Sequence, residues 1–194
     1  MLIFIVPISL AVIWLAFVGR RGEIRRSLIE SFLVISAFIA VSTEILSFLR
    51  QLNFSAVAGL WAVFAAALIV TRRADAMRGL GLLRARFSED AEKPRLQIIA
   101  TVVVFVVTLV LALVSPPNTY DSMTYHMSRV AHWIQSGSTA FFPTVIVRQL
   151  YQPPFAEYAI LHLQLLWGGD RFANLVQWTA LPIAGATVSL ITRE

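Results

Sequence analysis

The sequence predicts an all-α fold: a polytopic transmembrane helical bundle of about five spans, with amphipathic juxtamembrane helices in one large external loop. Three observations lead there. First, 58% of the 194 residues are hydrophobic and only 14% are charged, with a mean hydropathy of +0.74, whereas soluble chains average roughly 45–50% apolar and about 25% charged. Second, the apolar residues fall in blocks close to the roughly 20 residues that a helix needs to cross about 30 Å of hydrocarbon. Third, the cations cluster between those blocks rather than spreading over a surface. The net charge of +5 and pI near 10.4 therefore speak for orientation in a membrane, not for nucleic acid. Cysteine is absent, which excludes disulfides and thiolate chemistry.

The five predicted spans run from Leu2 to Val18, Ser27 to Phe48, Phe54 to Val70, Leu96 to Val114 and Phe172 to Ile191. The first is read as a span and not a signal peptide, because no charged region precedes it and Arg20 and Arg21 follow it. Arg20, Arg21, Arg25 and Arg26 separate the first two spans, and Arg72, Arg73, Arg78, Arg84, Arg86, Lys93 and Arg95 separate the third and fourth. The other connections hold only Arg50, Arg129, Arg148 and Arg171. This asymmetry places the two basic loops in the cytoplasm, the amino terminus outside and Arg193 inside again. Within the second basic loop, Met77, Leu80, Leu83 and Phe87 alternate with arginines. That pattern suits either a solvated loop or a short interfacial helix on anionic lipid. Gly79-Leu80-Gly81 has no preceding strand and is not read as a phosphate loop. Three regions follow: residues 1–114 with four spans, 115–171 as an external loop, and 172–194 as the fifth span.

The external loop holds all three histidines, most of the prolines and the tyrosines, and is too polar to span. Pro116-Pro117 ends the fourth span, Asn118 or Thr119 can cap a new helix, and Gly137 supplies a left-handed stop. At α-helical spacing Met123, Met127, Val130 and Ile134 fall within about 60° of one another, opposite Asp121, Tyr125, Ser128, Arg129, His132 and Gln135. The helix is only about 22 Å long, so it is expected in the interface, presenting Asp121, Tyr125, Arg129 and His132 as one polar line. A second short helix is expected from Pro154 to Gly168-Gly169, with Glu157, Leu161 and Gln164 forming a polar edge. His126 and His132 lie six apart, which is not the spacing of a helical metal pair. Glu44, near the outer end of its span, is expected to snorkel or pair.

Tyr120-Asp121 leading to Trp133 and Gly137, Phe142-Pro143-Thr144, Tyr151-Gln152-Pro153-Pro154 with Glu157-Tyr158, and Gly169-Asp170-Arg171-Phe172-Ala173-Asn174 occur in an order that resembles the GT-C glycosyltransferases. The closest likeness is to the bacterial branch of protein O-mannosyltransferases and the lipid A aminoarabinose transferase, over about 80 residues from Pro116 onward. Members are longer, and their loop usually follows the first span, so the resemblance implies an amino-terminal portion with three added helices. It further implies a multi-pass protein of the bacterial inner membrane, an inverting transfer from a polyprenyl-phosphate sugar donor, and a protein, lipid or glycan acceptor on the extracytoplasmic side, with no nucleic acid. Asp121 matches the family's acidic residue, which acts as general base or, in some branches, as ligand to a divalent metal. Arg129 and Arg148 are candidates for the leaving phosphate, and Tyr120, Tyr125, His132, Tyr151 and Glu157 for substrate contact. Two other readings stay open: a non-catalytic polytopic subunit that docks a partner through its amphipathic helices, and a transporter-like component.

Overall fold

The computed structural model describes residues 2–90 and 96–192. Among them there is no strand. The helices are α1 (Ile5–Arg21), α2 (Ile24–Phe48), α3 (Phe54–Asp90), α4 (Leu96–Val114), a π-helical turn (Ser122–His126) running into α5 (Met127–Ser136), a single turn α6 (Arg148–Tyr151), α7 (Phe155–Trp167) and α8 (Asn174–Ile191). Three helices are long and apolar enough to cross a membrane: α2, the Phe54–Arg86 part of α3, and α8. The other two expected spans are apolar helices as well but shorter, α1 with 17 residues and α4 with the stretch Ile98–Val114.

One expectation fails in the basic segment after Val70. It is neither a loop nor a separate short helix, because α3 continues unbroken to Asp90. Alanine, leucine, methionine and arginine are strong helix formers, and α1 lies alongside to hold the extension. Lys93, Arg95 and Arg193, assigned to cytoplasmic ends from the sequence, lie outside the described residues.

The contact between α1 and α3 is made backbone to backbone. A Cβ on Gly79 would sit 2.0 Å from Leu15 O and 3.0 Å from Gly19 N; one on Gly19 would sit 2.0 Å from Asp75 O and 2.8 Å from Gly79 N. Each glycine thus meets its counterpart and the carbonyl one turn before it, which is the reciprocal pattern of a parallel pair. Small residues permit such approach between membrane helices. Gly22, at φ 72°, turns the chain from α1 into the returning α2.

The two ends of the bundle differ in chemistry. At one end Asp75 accepts from Arg20 Nε (2.6 Å) and Arg78 Nη2 (2.5 Å), Arg21 pairs with Glu30, and Arg25 Nη1 donates to Ser189 O and Oγ (3.1 and 3.0 Å). The end of α8 therefore lies beside the start of α2. At the other end, Asn174 Nδ2 donates to Ser115 O (2.8 Å), joining the start of α8 to the end of α4. The loop helices α5, α6 and α7 gather at this second end.

The α7 helix packs at that end. Tyr158 donates its hydroxyl to Glu44, His162 lies between Thr43 and Trp61, and Leu2 N bonds Leu166 O (3.2 Å). Glu44 and Thr43 stand near the end of α2, and Trp61 near the start of α3. The core cluster runs through this junction, joining Ile39, Leu46, Val57, Trp61, Val130 and Leu161.

Candidate functional site

The segment between α4 and α8 begins with a cap. Thr119 Oγ1 accepts the Ser122 backbone N–H at 3.2 Å, satisfying one of the free donors of a helix start. The next turn is wide, with Met127 N–H reaching Ser122 O. A π turn changes which residues share a face, and such turns recur at functional sites. The helix then ends at Gly137 in the left-handed conformation, φ 66°, where glycine carries no Cβ penalty. Gly137 O accepts from Leu52 N at 3.2 Å, and a Cβ there would meet Arg50 O at 3.0 Å. The loop is thereby fastened to the turn between α2 and α3. Ser47 Oγ adds a second tie through Thr139 Oγ1 and Thr139 N, both at 2.8 Å.

The π turn overturns the expected polar line. Arg129 is 1% exposed and Tyr125 is buried, while Met123, expected on the apolar face, is exposed. His132 is half-buried and stacks on Phe142, with ring centroids 3.7 Å apart, away from Asp121. Glu157 and Leu161 are fully buried, so they form no polar edge with Gln164. In the first helix the π turn changes the pitch on which the faces were assigned; on α7, Glu157 and Leu161 are buried by packing against the bundle and against Arg129.

Arg129 organises the loop instead. Its Nε donates to Gln149 O (2.6 Å), Nη1 to Gln152 O (3.1 Å) and Glu157 Oε1 (3.0 Å), and Nη2 to Arg148 O and Gln152 O (both 3.1 Å). A guanidinium has five N–H donors, and five bonds are made, so none remains for a phosphate; the expected substrate role is corrected to a structural one. Gln149, which no sequence pattern marks, completes the arrangement. Its Nε2 donates to Thr124 O (2.7 Å) and Ser128 Oγ (2.8 Å), and its Oε1 accepts from Thr144 (2.8 Å).

Two groups of ionisable side chains result. In the buried one, Glu157 Oε1 accepts from Arg129 and from His126 Nδ1 (2.9 Å), while its Oε2 is buried without a partner among the described residues. In the exposed one, Asp121 and Arg148 face each other at 3.4 Å, with side chains 56% and 54% exposed. The structure thus brings Asp121 to Arg148 and Glu157 to Arg129, and leaves Tyr120 exposed and separate. Tyr151 lines a pocket of about 260 Å³ with Arg129, Trp133, Phe142, Pro154 and Tyr158. Burial and the Glu44 carboxylate push the Tyr158 hydroxyl up to about 12. Among the described residues no three His, Asp or Glu side chains gather closely enough to hold a metal ion.

Near Asp121 in the chain lies an open groove. Thr119 and Ser122 line this groove of about 670 Å³ between α4, the Ser115–Ser122 segment and α8. The groove wall is mainly apolar, with Leu111, Ala112, Leu181 and Ala184; Asn174 and Gln177 supply polar atoms.

One buried triad had no counterpart in the sequence reading. Trp61 Nε1–H donates to His162 Nδ1 (2.9 Å), and His162 Nε2 lies 3.0 Å from Thr43 Oγ1, which itself reaches Ile39 O (2.8 Å). Because indole is a donor only, Nδ1 must accept and Nε2 must carry the proton. Burial pushes the imidazole down to about 4. A histidine inside the apolar run Ala159–Leu166 was the available signal.

No family model, curated protein or solved structure matches this chain.

Proposed function

We propose that this chain is a bacterial inner-membrane glycosyltransferase, or the amino-terminal portion of one, that moves a sugar from a polyprenyl-phosphate donor to an acceptor on the extracytoplasmic side. In this reading α1, α2, α3, α4 and α8 are five spans, and the basic end of the bundle faces the cytoplasm in keeping with the positive-inside bias. The observation that carries the reading is that Asp121 faces Arg148 while its chain neighbours Thr119 and Ser122 line a mainly apolar groove of about 670 Å³. A lipid-phosphate sugar is a long apolar tail, an anion and a reacting carbon in sequence. The groove suits the tail, a guanidinium can take two phosphate oxygens, and a carboxylate can receive the acceptor's proton. Arg129 is saturated, so the phosphate contact falls to Arg148. Tyr151 and the aromatic pocket beside it suit a sugar ring.

The test uses a cysteine-free background that the sequence already provides. A cysteine placed at position 121 should react with a membrane-impermeant maleimide added from outside intact cells, and labelling only from the cytoplasmic side would reverse the topology. In nanodiscs, undecaprenyl phosphate should bind the unaltered protein and bind Arg148→Ala about tenfold more weakly. Asp121→Asn should abolish sugar transfer without changing membrane insertion; retained transfer would remove Asp121 from the mechanism.

A further inference from the structure

We infer that His126 is a proton acceptor of this site, held ready through its Nδ1 by the buried Glu157. The tautomer follows from the partner. Glu157 Oε1 accepts from the permanently charged Arg129 guanidinium at 3.0 Å, and the same oxygen lies 2.9 Å from His126 Nδ1. A carboxylate there can only accept, so Nδ1 donates, and the neutral ring keeps a bare lone pair on Nε2. The His126 side chain is 32% exposed while Glu157 is wholly buried. The ring is therefore anchored from inside and open from outside, with Tyr125 stacked against it at 4.1 Å between centroids.

The surrounding structure goes to some expense to keep this arrangement. Glu157 Oε2 is buried without a partner among the described residues, and an unsatisfied buried acceptor is destabilising. Packing alone would favour an apolar residue at that position. The π turn adds the second element. Asp121 and His126 are five residues apart, and a turn closed by i→i+5 bonds stacks such residues where an α-helical turn would separate them.

The chemical role rests on the transfer reaction proposed above. The acceptor O–H bond breaks, its proton passes to Asp121, and the oxygen's electron pair forms the bond to the anomeric carbon. The bond from that carbon to the phosphate oxygen breaks, its electron pair leaving on the phosphate beside Arg148. The proton on Asp121 then moves to the bare lone pair of His126 Nε2, five residues on across the π turn. Glu157 is the positioning residue in this scheme: it fixes the ring and takes no proton.

The experiment reads the ring directly and needs no sugar donor. Protein with ¹⁵N-labelled histidine, in nanodiscs above the pH at which its exposed imidazoles are neutral, is observed by NMR; the three histidines are assigned with His132→Gln and His126→Asn. His126 should show a protonated Nδ1 and an unprotonated Nε2, and a protonated Nε2 would overturn the inference. Diethyl pyrocarbonate should acylate His126 and spare His162, whose ring is enclosed; a His126 that stays unmodified at doses consuming free histidine would also overturn it. Glu157→Met, which keeps the volume and removes the acceptor, should abolish the tautomer preference, and an unchanged spectrum would remove Glu157 from its positioning role. Should that variant not fold, the unaltered protein's spectrum and acylation pattern decide. Failure here leaves the lipid-phosphate binding test untouched, so the two readings fall separately.

Discussion

Gly79→Ala and Gly81→Ala, two residues apart on the same helix, should change stability in opposite directions. At Gly79 the added Cβ would lie 2.0 Å from the carbonyl oxygen of Leu15 and 3.0 Å from the amide of Gly19. Carbon and oxygen do not approach closer than about 3 Å, so α1 and α3 would have to move apart by at least about an ångström. Neither neighbour is a flexible side-chain end; both are helix backbone, and the matching contact of Gly19 with Asp75 O would open with them. Overpacking of this kind costs about 1–3 kcal/mol. At Gly81 a Cβ meets nothing within 4 Å, and alanine there should gain about 0.5–1 kcal/mol because glycine loses more backbone freedom on entering a helix. Thermal unfolding in detergent, followed by circular dichroism, measures both. Gly79→Ala should melt several degrees lower and Gly81→Ala equal or higher, with Gly19→Ala behaving like Gly79→Ala. If Gly79→Ala melts with the unaltered protein, the backbone contact between α1 and α3 is not what holds them.

Arg129→Lys should destabilise the loop by about 1–3 kcal/mol, since an ammonium offers three donors from one point where five directed N–H groups hold Arg148, Gln149, Gln152 and Glu157. Limited proteolysis between Ser138 and Pro153 should accelerate accordingly. His162 gives an acid limit to stability: its folded value is near 4 against an ordinary value of 6.5, so the unfolded state binds the proton first as pH falls. Stability from this group is full above about pH 6.5, declines below it by an amount on the order of 3 kcal/mol, and levels off near pH 4. Melting curves of the unaltered protein and His162→Gln across pH 4–7 should differ in slope; parallel curves would refute the assignment. Trp61→Phe removes the indole donor to His162 Nδ1 and should cost about 1–3 kcal/mol in the same assay.

Much of the helical plan is legible in the sequence because its signals are local. Apolar runs mark α2, α4 and α8, Gly22, Gly137 and Gly168 mark left-handed turns, and Thr119 marks a cap. The extension of α3 through Asp90 is not legible, because interleaved arginines give the same pattern in a solvated loop as in a helix supported from one side. Its support is Gly19, sixty positions away in the chain. The site divides in the same manner. Asp121 and Arg148 were both singled out as candidates from the sequence, whereas their pairing, the burial of Arg129 and Glu157, and the part played by Gln149 depend on contacts 19 to 31 residues apart. The wheel through residues 121–135 holds for Met127, Val130 and Ile134, which pack against the core, and fails for Met123, Tyr125 and Arg129. A single π turn, Ser122–His126, alters the pitch among these positions.

The position of the ionic cluster rests on contacts between elements. Arg129 and Glu157 are expensive to bury, and a buried pair is weak grounds for stability by itself. Here the pair closes a circuit. Arg129 fixes the carbonyls of Arg148, Gln149 and Gln152, and so places the Arg148 side chain opposite Asp121. Glu157 belongs to α7, whose next turn is fixed to the bundle through His162, Trp61 and Thr43. The exposed Asp121–Arg148 pair is therefore referenced to α2 and α3 through two buried polar joints in series. A flexible loop could carry the same residues, but it could not hold a carboxylate and a guanidinium at a fixed station beside the α4–α8 groove.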